Sequence, residues 1–250
     1  MNRQELQDYL HQFLSLDQYR DYAPNGLQIQ GKSTIAKIVT GVTACQALID
    51  AAIDQQADAI LVHHGFFWKG EDPCIVGIKQ QRIQALLSND VNLMAYHLPL
   101  DGHRVVGNNA TLGQRLGMSH MRPIEGVAQD LVWQGQLDIA LSATEFAEQI
   151  SQALGRAPLV LGNAQAMIKT IGWCTGGAQD YIDIAAQYGL DAFISGEASE
   201  RTFHSANELG LVYFGAGHHA TERYGIEALG QHLADKFGID HVFIDVPNPV

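Results

Sequence analysis

A short apolar run that ends in two adjacent histidines, within Asp58 to Gly65, constrains the fold of this chain most strongly. Ile, Leu and Val lead into His63 and His64, which predicts a buried parallel strand at 59–64. Ligands of open α/β sheets gather just beyond the carboxyl ends of such strands. Successive side chains of a strand point to opposite faces, so the two histidines can reach two different partners. Metal ions are the obvious partners of imidazole, and the alternative is two polar residues that merely end a strand.

Composition narrows the class of protein. The chain has 250 residues, 46% of them hydrophobic, which is typical of a folded protein with one large domain or two smaller ones. A net charge of −12 argues against a general DNA- or RNA-binding surface but allows a nucleotide as substrate. Three widely spaced cysteines form no disulfide framework, which favours a reducing cytoplasm. With no apolar leader and no long apolar run, we expect a soluble protein that binds no membrane.

The segment 26–33 matches the phosphate-binding P-loop pattern G-x-x-x-x-G-K-S. A true P-loop follows a buried strand and opens a helix. Here the loop Pro24-Asn25 precedes the segment, and a β-branched, strand-like stretch at 35–42 follows it. We therefore interpret the match as a coincidence of letters.

Apolar periodicity predicts helices and strands that alternate along the chain. Strands are predicted at 36–43, 59–64, 91–96, 130–137, 168–174 and 211–214. Helices are predicted at 2–14, 45–56, 78–88, 108–116, 143–154 and 200–209, with a last one that starts near 218. This order of elements predicts an α/β fold.

The second half of the chain resembles the first when the two are aligned so that Asp58-Ala59 falls on Asp191-Ala192. Each half then continues through a helix to another apolar strand. A four-residue motif follows in each case, His97-x-x-x-Asp101 and His218-x-x-x-Glu222. The shared order of elements predicts two related halves with a site between them.

Histidines and carboxylates at these strand ends are the residue types that a divalent metal site requires. His218 and Glu222 lie four residues apart and share one face of the predicted helix. Two metal ions about 3.5–4 Å apart usually share a carboxylate, so Glu222 can bridge them while His218 binds one. His63 and His64 would add one nitrogen to each ion, and Asp101 would complete one of them.

Two further residues are candidate catalytic groups with open roles. His97 precedes a Leu-Pro turn and can be a ligand, a group behind a ligand or a proton shuttle. Glu197 aligns with His64 in the repeat and can act as a general base, orient a histidine ligand or simply hold its turn.

Four motifs resemble the NGG-one-interacting-factor-three-like family, whose members are commonly called GTP cyclohydrolase 1 type 2 homologues. They are Pro24-Asn25-Gly26-Leu27-Gln28, His63-His64-Gly65, His97-x-x-x-Asp101 and Gly217-His218-x-x-x-Glu222. The resemblance covers nearly the whole chain. It implies two related three-layer α/β domains from an internal duplication, a dinuclear metal site in the cleft between them, and toroidal homohexamers.

The resemblance also implies a set of metal ligands, namely His63, His64, Asp101, His218 and Glu222. Many family members have an aromatic residue where this chain has His219, and the four-residue spacing to Glu222 favours His218 as the ligand. Because the ligands come from both ends of the chain, we predict a first α/β domain at 1–101 plus 218–250. A second, inserted α/β domain is predicted at 102–217.

The favoured interpretation is a dinuclear metal-dependent hydrolase, similar to GTP cyclohydrolase 1 type 2. It would act on a nucleotide or another anionic small molecule through a metal-bridged hydroxide. The ligand types admit two ions of Fe, Zn, Mn or Ni, and the aromatic loop 66–68 can hold a base. The alternative is a non-catalytic metal-binding protein that braces two domains or serves as a regulatory scaffold.

Overall fold

The structure is a computed structural model that describes residues 1–250. Its strands are β1 (Gly26–Ile29), β2 (Lys37–Thr43), β3 (Ala59–His64), β4 (Asn92–Ala95), β5 (Ser119–Pro123), β6 (Trp133–Ser142), β7 (Leu159–Leu161), β8 (Met167–Trp173), β9 (Ala192–Ser195), β10 (Val212–Gly215) and β11 (Asp240–Phe243). Its α-helices are α1 (Arg3–Phe13), α2 (Gln46–Asp54), α3 (Gly77–Ser88), α4 (Leu98–Gly102), α5 (Asn108–Arg115), α6 (Ala143–Leu154), α7 (Ile182–Gln187), α8 (Glu200–Leu209) and α9 (His218–Phe237). None of these helices combines the length and the apolar character that crossing a membrane requires.

The chain divides into two compact units. The first unit comprises residues 1–101 and 225–247, and the second comprises residues 102–224 and 248–250. The sequence-based assignment gave all of 218–250 to the first domain, whereas the start of α9 belongs here to the second unit. The reason is that Ala220 and Tyr224 pack against the apolar core of that unit.

The first unit contains a five-stranded sheet in the order β1-β4-β3-β2-β11. Strands β4, β3, β2 and β11 are parallel, and β1 pairs antiparallel with β4 at the edge. The central strand β3 is fully buried from Ala59 to Val62, as its continuous apolar run predicts. Residues of α2 and α3 pack on one face of the sheet. The two histidines that end β3 therefore lie at the carboxyl edge of a well-packed sheet.

The second unit contains a six-stranded sheet in the order β5-β6-β8-β9-β10-β7. Its centre is again a parallel set, β8-β9-β10, with the antiparallel strand β7 beyond β10. Phe193 and Ile194, neighbours in β9, belong to two different apolar clusters and so face opposite sides of the sheet. Helix α6 packs on one side, and helices α7 and α8 pack on the other.

An aspartate before the central strand of each sheet makes the same contact in both units. One oxygen of Asp58 accepts hydrogen bonds from the backbone N–H groups of residues 36 and 37, at 2.9 and 3.1 Å. One oxygen of Asp191 does the same for residues 169 and 170, at 2.9 and 2.7 Å. In the alignment of the two halves of the sequence, Asp58 falls on Asp191, and the donor residues 36 and 37 fall on residues 169 and 170. The aspartate of the recurring Asp-Ala pair therefore holds the preceding strand in both units.

The segment that spells a P-loop does not form one. Its first residues are strand β1, Gly26–Ile29, and strand β2 rather than a helix follows it. The ammonium group of Lys32 lies 2.8 Å from the carboxylate of Asp58, where it supports the start of the sheet. This agrees with the interpretation of the match as coincidental.

The Asp58→Ala and Asp191→Ala substitutions each leave two backbone N–H groups without their acceptor. We expect each substitution to lower the free energy of unfolding by about 1–3 kcal/mol, measured by urea denaturation. Asp54→Ala is the matched control because Asp54 is exposed at the end of α2, and its effect should stay within about 0.5 kcal/mol. Equal stability of the Asp58→Ala and Asp54→Ala proteins would contradict this role.

Candidate metal-binding clusters in the two units

Three histidines converge at the carboxyl edge of the first sheet. His63 and His64 end β3, and His97 follows the neighbouring parallel strand β4. The nitrogen atoms that they can offer all lie within 4.8 Å of one another. Their ring centroids are 4.4 Å apart for His63 and His64, and 5.2 Å apart for His63 and His97. This spacing lets several imidazole nitrogens approach one small cation.

Hydrogen bonds at Nδ1 orient the two histidines of β3. The Nδ1 atom of His63 lies 3.0 Å from the backbone carbonyl oxygen of Tyr96, just past β4. The Nδ1 atom of His64 lies 3.2 Å from the hydroxyl oxygen of Thr43, the last residue of β2. Since Nδ1 is engaged in both rings, Nε2 is the nitrogen that each can offer to a metal ion.

Asp101 adds a carboxylate to this cluster. It lies in the short helix α4, is only 6% exposed, and places one oxygen 3.4 Å from Nε2 of His63. Its backbone N–H bonds to the carbonyl oxygen of His97, so one helical turn separates the two side chains and keeps them on the same side. The buried carboxylate therefore faces the nitrogen that His63 can offer.

The turn from Asp21 to Asn25 holds His97 and the start of α4. One oxygen of Asp21 lies 2.9 Å from Nδ1 of His97, and the other accepts a hydrogen bond from the backbone N–H of Leu98. Asn25 accepts a hydrogen bond from the backbone N–H of His97 at 2.7 Å. Burial alone would raise the pKa of Asp21, but the hydrogen bonds and the charge of His97 lower that pKa to about 2. Sequence reasoning missed this role of Asp21, because its turn-rich surroundings indicate only a loop.

A second cluster lies at the start of α9 in the second unit. Nε2 of His218 is 3.2 Å from one oxygen of Glu222, which is 3% exposed and lies one turn further along the helix. Nδ1 of His218 is 2.7 Å from a carboxylate oxygen of Glu197, which follows β9. Gly176 and Gly196 make this approach possible, since a side chain at Gly176 would collide with the Glu222 carboxylate and one at Gly196 with the backbone of His218.

The two carboxylates change the proton affinity of His218. Burial alone would lower its pKa, but hydrogen bonds to Glu222 and Glu197 and their negative charges raise the pKa to about 9. In the absence of metal this imidazole is therefore protonated at neutral pH. A site that holds a proton between two carboxylates has the charge and the donor atoms that suit a divalent cation.

The structure thus brings the sequence-predicted residues together in two groups. His63, His64, His97 and Asp101 lie together in the first unit, and His218, Glu222 and Glu197 lie together in the second. His219, the alternative to His218, is buried, and its backbone N–H donates to the carbonyl of Val250.

The pattern of the Duf34/NIF3 (NGG1p interacting factor 3) family matches residues 1–249 of the chain. The protein belongs to this family. Among the relatives of this NIF3-family protein, one from Haemophilus influenzae is 56% identical and one from Vibrio cholerae is 55% identical, each over 100% of both chains. Both relatives carry the name GTP cyclohydrolase 1 type 2 homolog.

Solved structures confirm the family and the fold. The protein ybgI, described as of unknown function, is 50% identical and superposes with a TM-score of 0.95 over 100% of both chains. A protein from Thermus thermophilus is 34% identical, with a TM-score of 0.89 over 100% of both chains. The mixed α/β architecture with two sheets is therefore the fold of the NIF3 family.

In the metal-free NIF3-family protein, we expect His218 to titrate with a pKa of about 9, because two carboxylates stabilise its charged form. The imidazole would be charged below that pH and neutral above it. The Glu197→Gln substitution removes one of the two charges and should lower the pKa toward the ordinary 6.5. NMR titration of the imidazole nitrogens measures both values. Glu200→Gln, at the exposed start of α8, is the control that should leave the pKa of His218 unchanged.

Proposed function

We propose that this NIF3-family protein is a dinuclear metal-dependent hydrolase, similar to GTP cyclohydrolase 1 type 2, that acts on a nucleotide or another anionic small molecule. One observation carries the proposal: each of the three proposed histidine ligands has its Nδ1 held by an oxygen atom of the protein. The oxygen belongs to a backbone carbonyl for His63, to a hydroxyl for His64, and to a carboxylate for His218. Such partners fix the ring orientation of metal-binding histidines and make their Nε2 atoms better ligands.

The proposed metal ligands are His63, His64, Asp101, His218 and Glu222. This mixture of imidazole nitrogens and carboxylate oxygens fits Fe, Zn, Mn or Ni. When bound, two such ions would supply Lewis-acid chemistry and lower the pKa of a water molecule to near neutrality. Glu222 is the candidate for the carboxylate shared by both ions. The names of the relatives, GTP cyclohydrolase 1 type 2 homolog, support a nucleotide as the substrate.

Two residues have proposed roles in the reaction without being ligands. Glu197 holds the ring of His218 through Nδ1 and would also be close enough to that histidine to exchange a proton with it. His97 lies between Asp21 at 2.9 Å and the hydroxyl of Tyr22 at 3.5 Å, an arrangement that suits proton transfer from a buried histidine toward the surface.

We further propose that the two units arose by an internal duplication. The parallel strand triplets β4-β3-β2 and β10-β9-β8, each flanked by an antiparallel edge strand, support this origin. The aspartate contact that recurs at equivalent positions of the two halves supports it as well. From the family resemblance we propose a toroidal homohexamer in the cytoplasm.

The deep burial of His63, Asp101 and Glu222 also suits a metal site that is purely structural. This is the second candidate function, a non-catalytic metal-binding or scaffold protein. Glu197 separates the two functions, because a structural site has no need of a group that exchanges protons.

Metal content per chain tests the ligand set. After supply of Mn, Fe or Zn, we expect close to two ions per chain in the wild-type protein and one or none in the Glu222→Ala variant, measured by elemental analysis. Glu227→Ala is the matched control, since Glu227 is an exposed glutamate on the same helix, and it should keep the wild-type content. A wild-type protein that binds no metal under these conditions would rule out the proposed centre.

Turnover tests the enzymatic part of the proposal. Glutamine at position 197 can still accept the hydrogen bond from His218, so the Glu197→Gln variant should keep its metal. We expect it to lose about 10- to 100-fold of the hydrolytic activity found by screening nucleotides and pterin precursors. The Glu200→Gln variant should keep full activity. If no substrate is turned over while metal removal lowers thermal stability, the scaffold function is the correct one.

A further inference from the structure

The first unit contains an open cavity of about 390 Å³ beside its histidine cluster. Its walls come from the turn before β1, from the loop after β3 and from the first turn of α3. The aromatic rings of Tyr22, Phe67 and Trp68 line it, together with the ammonium groups of Lys69 and Lys79. This volume lies within the range of about 300–1,000 Å³ that is typical of sites for small molecules.

The rings of Tyr22 and Trp68 are neighbours, and both are accessible to solvent. Tyr22 is 55% exposed, and Trp68 is partly exposed. Their ring centroids are 5.8 Å apart with an angle of 31° between the planes. Large aromatic side chains gain most from burial, so two exposed neighbouring rings on a cavity wall are suited to cover a flat apolar ligand.

Backbone and side-chain hydrogen bonds hold the turn and the loop in place. The backbone N–H of Lys69 donates to the carbonyl oxygen of Tyr22 at 3.0 Å, which joins the turn to the loop. The backbone N–H of Trp68 donates to the carboxylate of Glu71, and the backbone N–H of Glu71 returns to the carbonyl oxygen of Trp68. The rings are therefore positioned before any ligand arrives, which reduces the entropic cost of binding.

The two lysines differ in their surroundings. The ammonium of Lys79 lies over the ring of Phe67 at 5.1 Å and contacts the carbonyl oxygen of Asp72 and the carboxylate of Glu71. Lys69 is exposed on the cavity rim. Lys69 is therefore the better placed of the two to meet an anionic group on a ligand that enters from solvent.

The aromatic walls end at the histidine cluster, which includes the proposed ligand His64 and the proposed proton-transfer residue His97. The ring of Trp68 stands edge-on to His97 at 5.3 Å and lies 5.9 Å from His64. The ring of Tyr22 contacts His97 at 5.0 Å, again edge-on. A ring held against Trp68 and Tyr22 would thus have one end at the histidines and the other at the solvent side of the cavity.

We propose that this cavity binds a planar aromatic heterocycle that carries an anionic group. The heterocycle stacks on Trp68 and Tyr22, and the anionic group pairs with Lys69. That this ligand is the substrate rests on the proposed function, whereas binding itself does not.

Tryptophan fluorescence tests the stacking directly. Trp68 is the partly exposed tryptophan, while Trp133 and Trp173 are 4% and 0% exposed. The full-length protein is titrated with guanosine 5′-monophosphate, guanosine and inorganic tripolyphosphate, with and without added Mn²⁺. We expect saturable quenching by guanosine and its monophosphate, none by tripolyphosphate, and loss of the quenching in the Trp68→Phe variant.

Calorimetric titration of variants tests the two contacts separately. The Trp68→Ala substitution should weaken binding of both guanosine and its monophosphate by about 10-fold or more, as expected for one lost stacking contact. The Lys69→Gln substitution should weaken binding of the monophosphate about 2- to 5-fold and leave guanosine unchanged. Lys236→Gln, an exposed lysine on α9 outside the cavity, should change neither affinity. If the Trp68→Ala protein does not fold, two other measurements test the cavity. They are the loss of quenching in the Trp68→Phe protein and the weaker binding of the monophosphate by the Lys69→Gln protein.

The outcomes separate this inference from the proposed function. Absence of saturable binding by the wild-type protein, or equal affinities in wild type and both cavity variants, would overturn the cavity as the binding site even if metal binding and hydrolysis are found. Saturable binding that depends on Trp68 and Lys69 supports the cavity even in a protein that holds no metal and turns over no substrate.

Discussion

The parallel pairing of β2, β3 and β4 is the constraint on which the candidate site depends. Because these strands run in the same direction, their carboxyl ends meet at one edge of the sheet. Thr43 pairs directly with His64, and the backbone of Tyr96 bonds to that of Val62. The register that builds the sheet therefore also sets the two Nδ1 contacts of His63 and His64. A slip by one residue would exchange the faces to which the two imidazoles point.

Carboxylates orient a histidine in each unit, but they come from different parts of the fold in the two units. In the first unit, Asp21 reaches His97 from a turn that lies 76 residues earlier in the chain. In the second unit, Glu197 holds His218 from the end of β9. The alignment of the two halves puts Glu197 at the position of His64. One position on the sheet edge therefore holds a candidate ligand in one unit and the residue that orients a candidate ligand in the other.

Much of this arrangement is predictable from the sequence because it depends on local pattern. The apolar runs of β2, β3 and β8 and the helix α6 are present where the sequence predicts them, and a capping box of Ser142 and Glu145 begins α6. What the sequence does not predict depends on distant partners. Strand β11 comes from the far end of the chain to join the sheet by pairing with β2, and Asp21 acquires its role only through His97.

Short elements were missed for a related reason. Helix α4 has five residues and contains a proline, so neither its length nor its composition predicts a helix, yet it places Asp101 near His63. Strand β7 has three residues and owes its existence to the neighbour with which it pairs. Propensity carries little information over so few residues, and tertiary contacts decide the structure.

The segment with P-loop letters shows how the motifs of the chain depend on one another. Strand β1 pairs with β4, and the side chain of Gln28 bonds to the carbonyl oxygen of Pro24 while it packs directly over Gly65. A side chain at Gly65 would collide with that amide, so the present position of the Gln28 side chain depends on a glycine after the two histidines. The same pairing brings the preceding turn, with Tyr22, beside the loop that carries Trp68. The Pro24-to-Gln28 motif and the His63-His64-Gly65 motif thus pack against each other. Their contact supports the two histidines and shapes the cavity beside them.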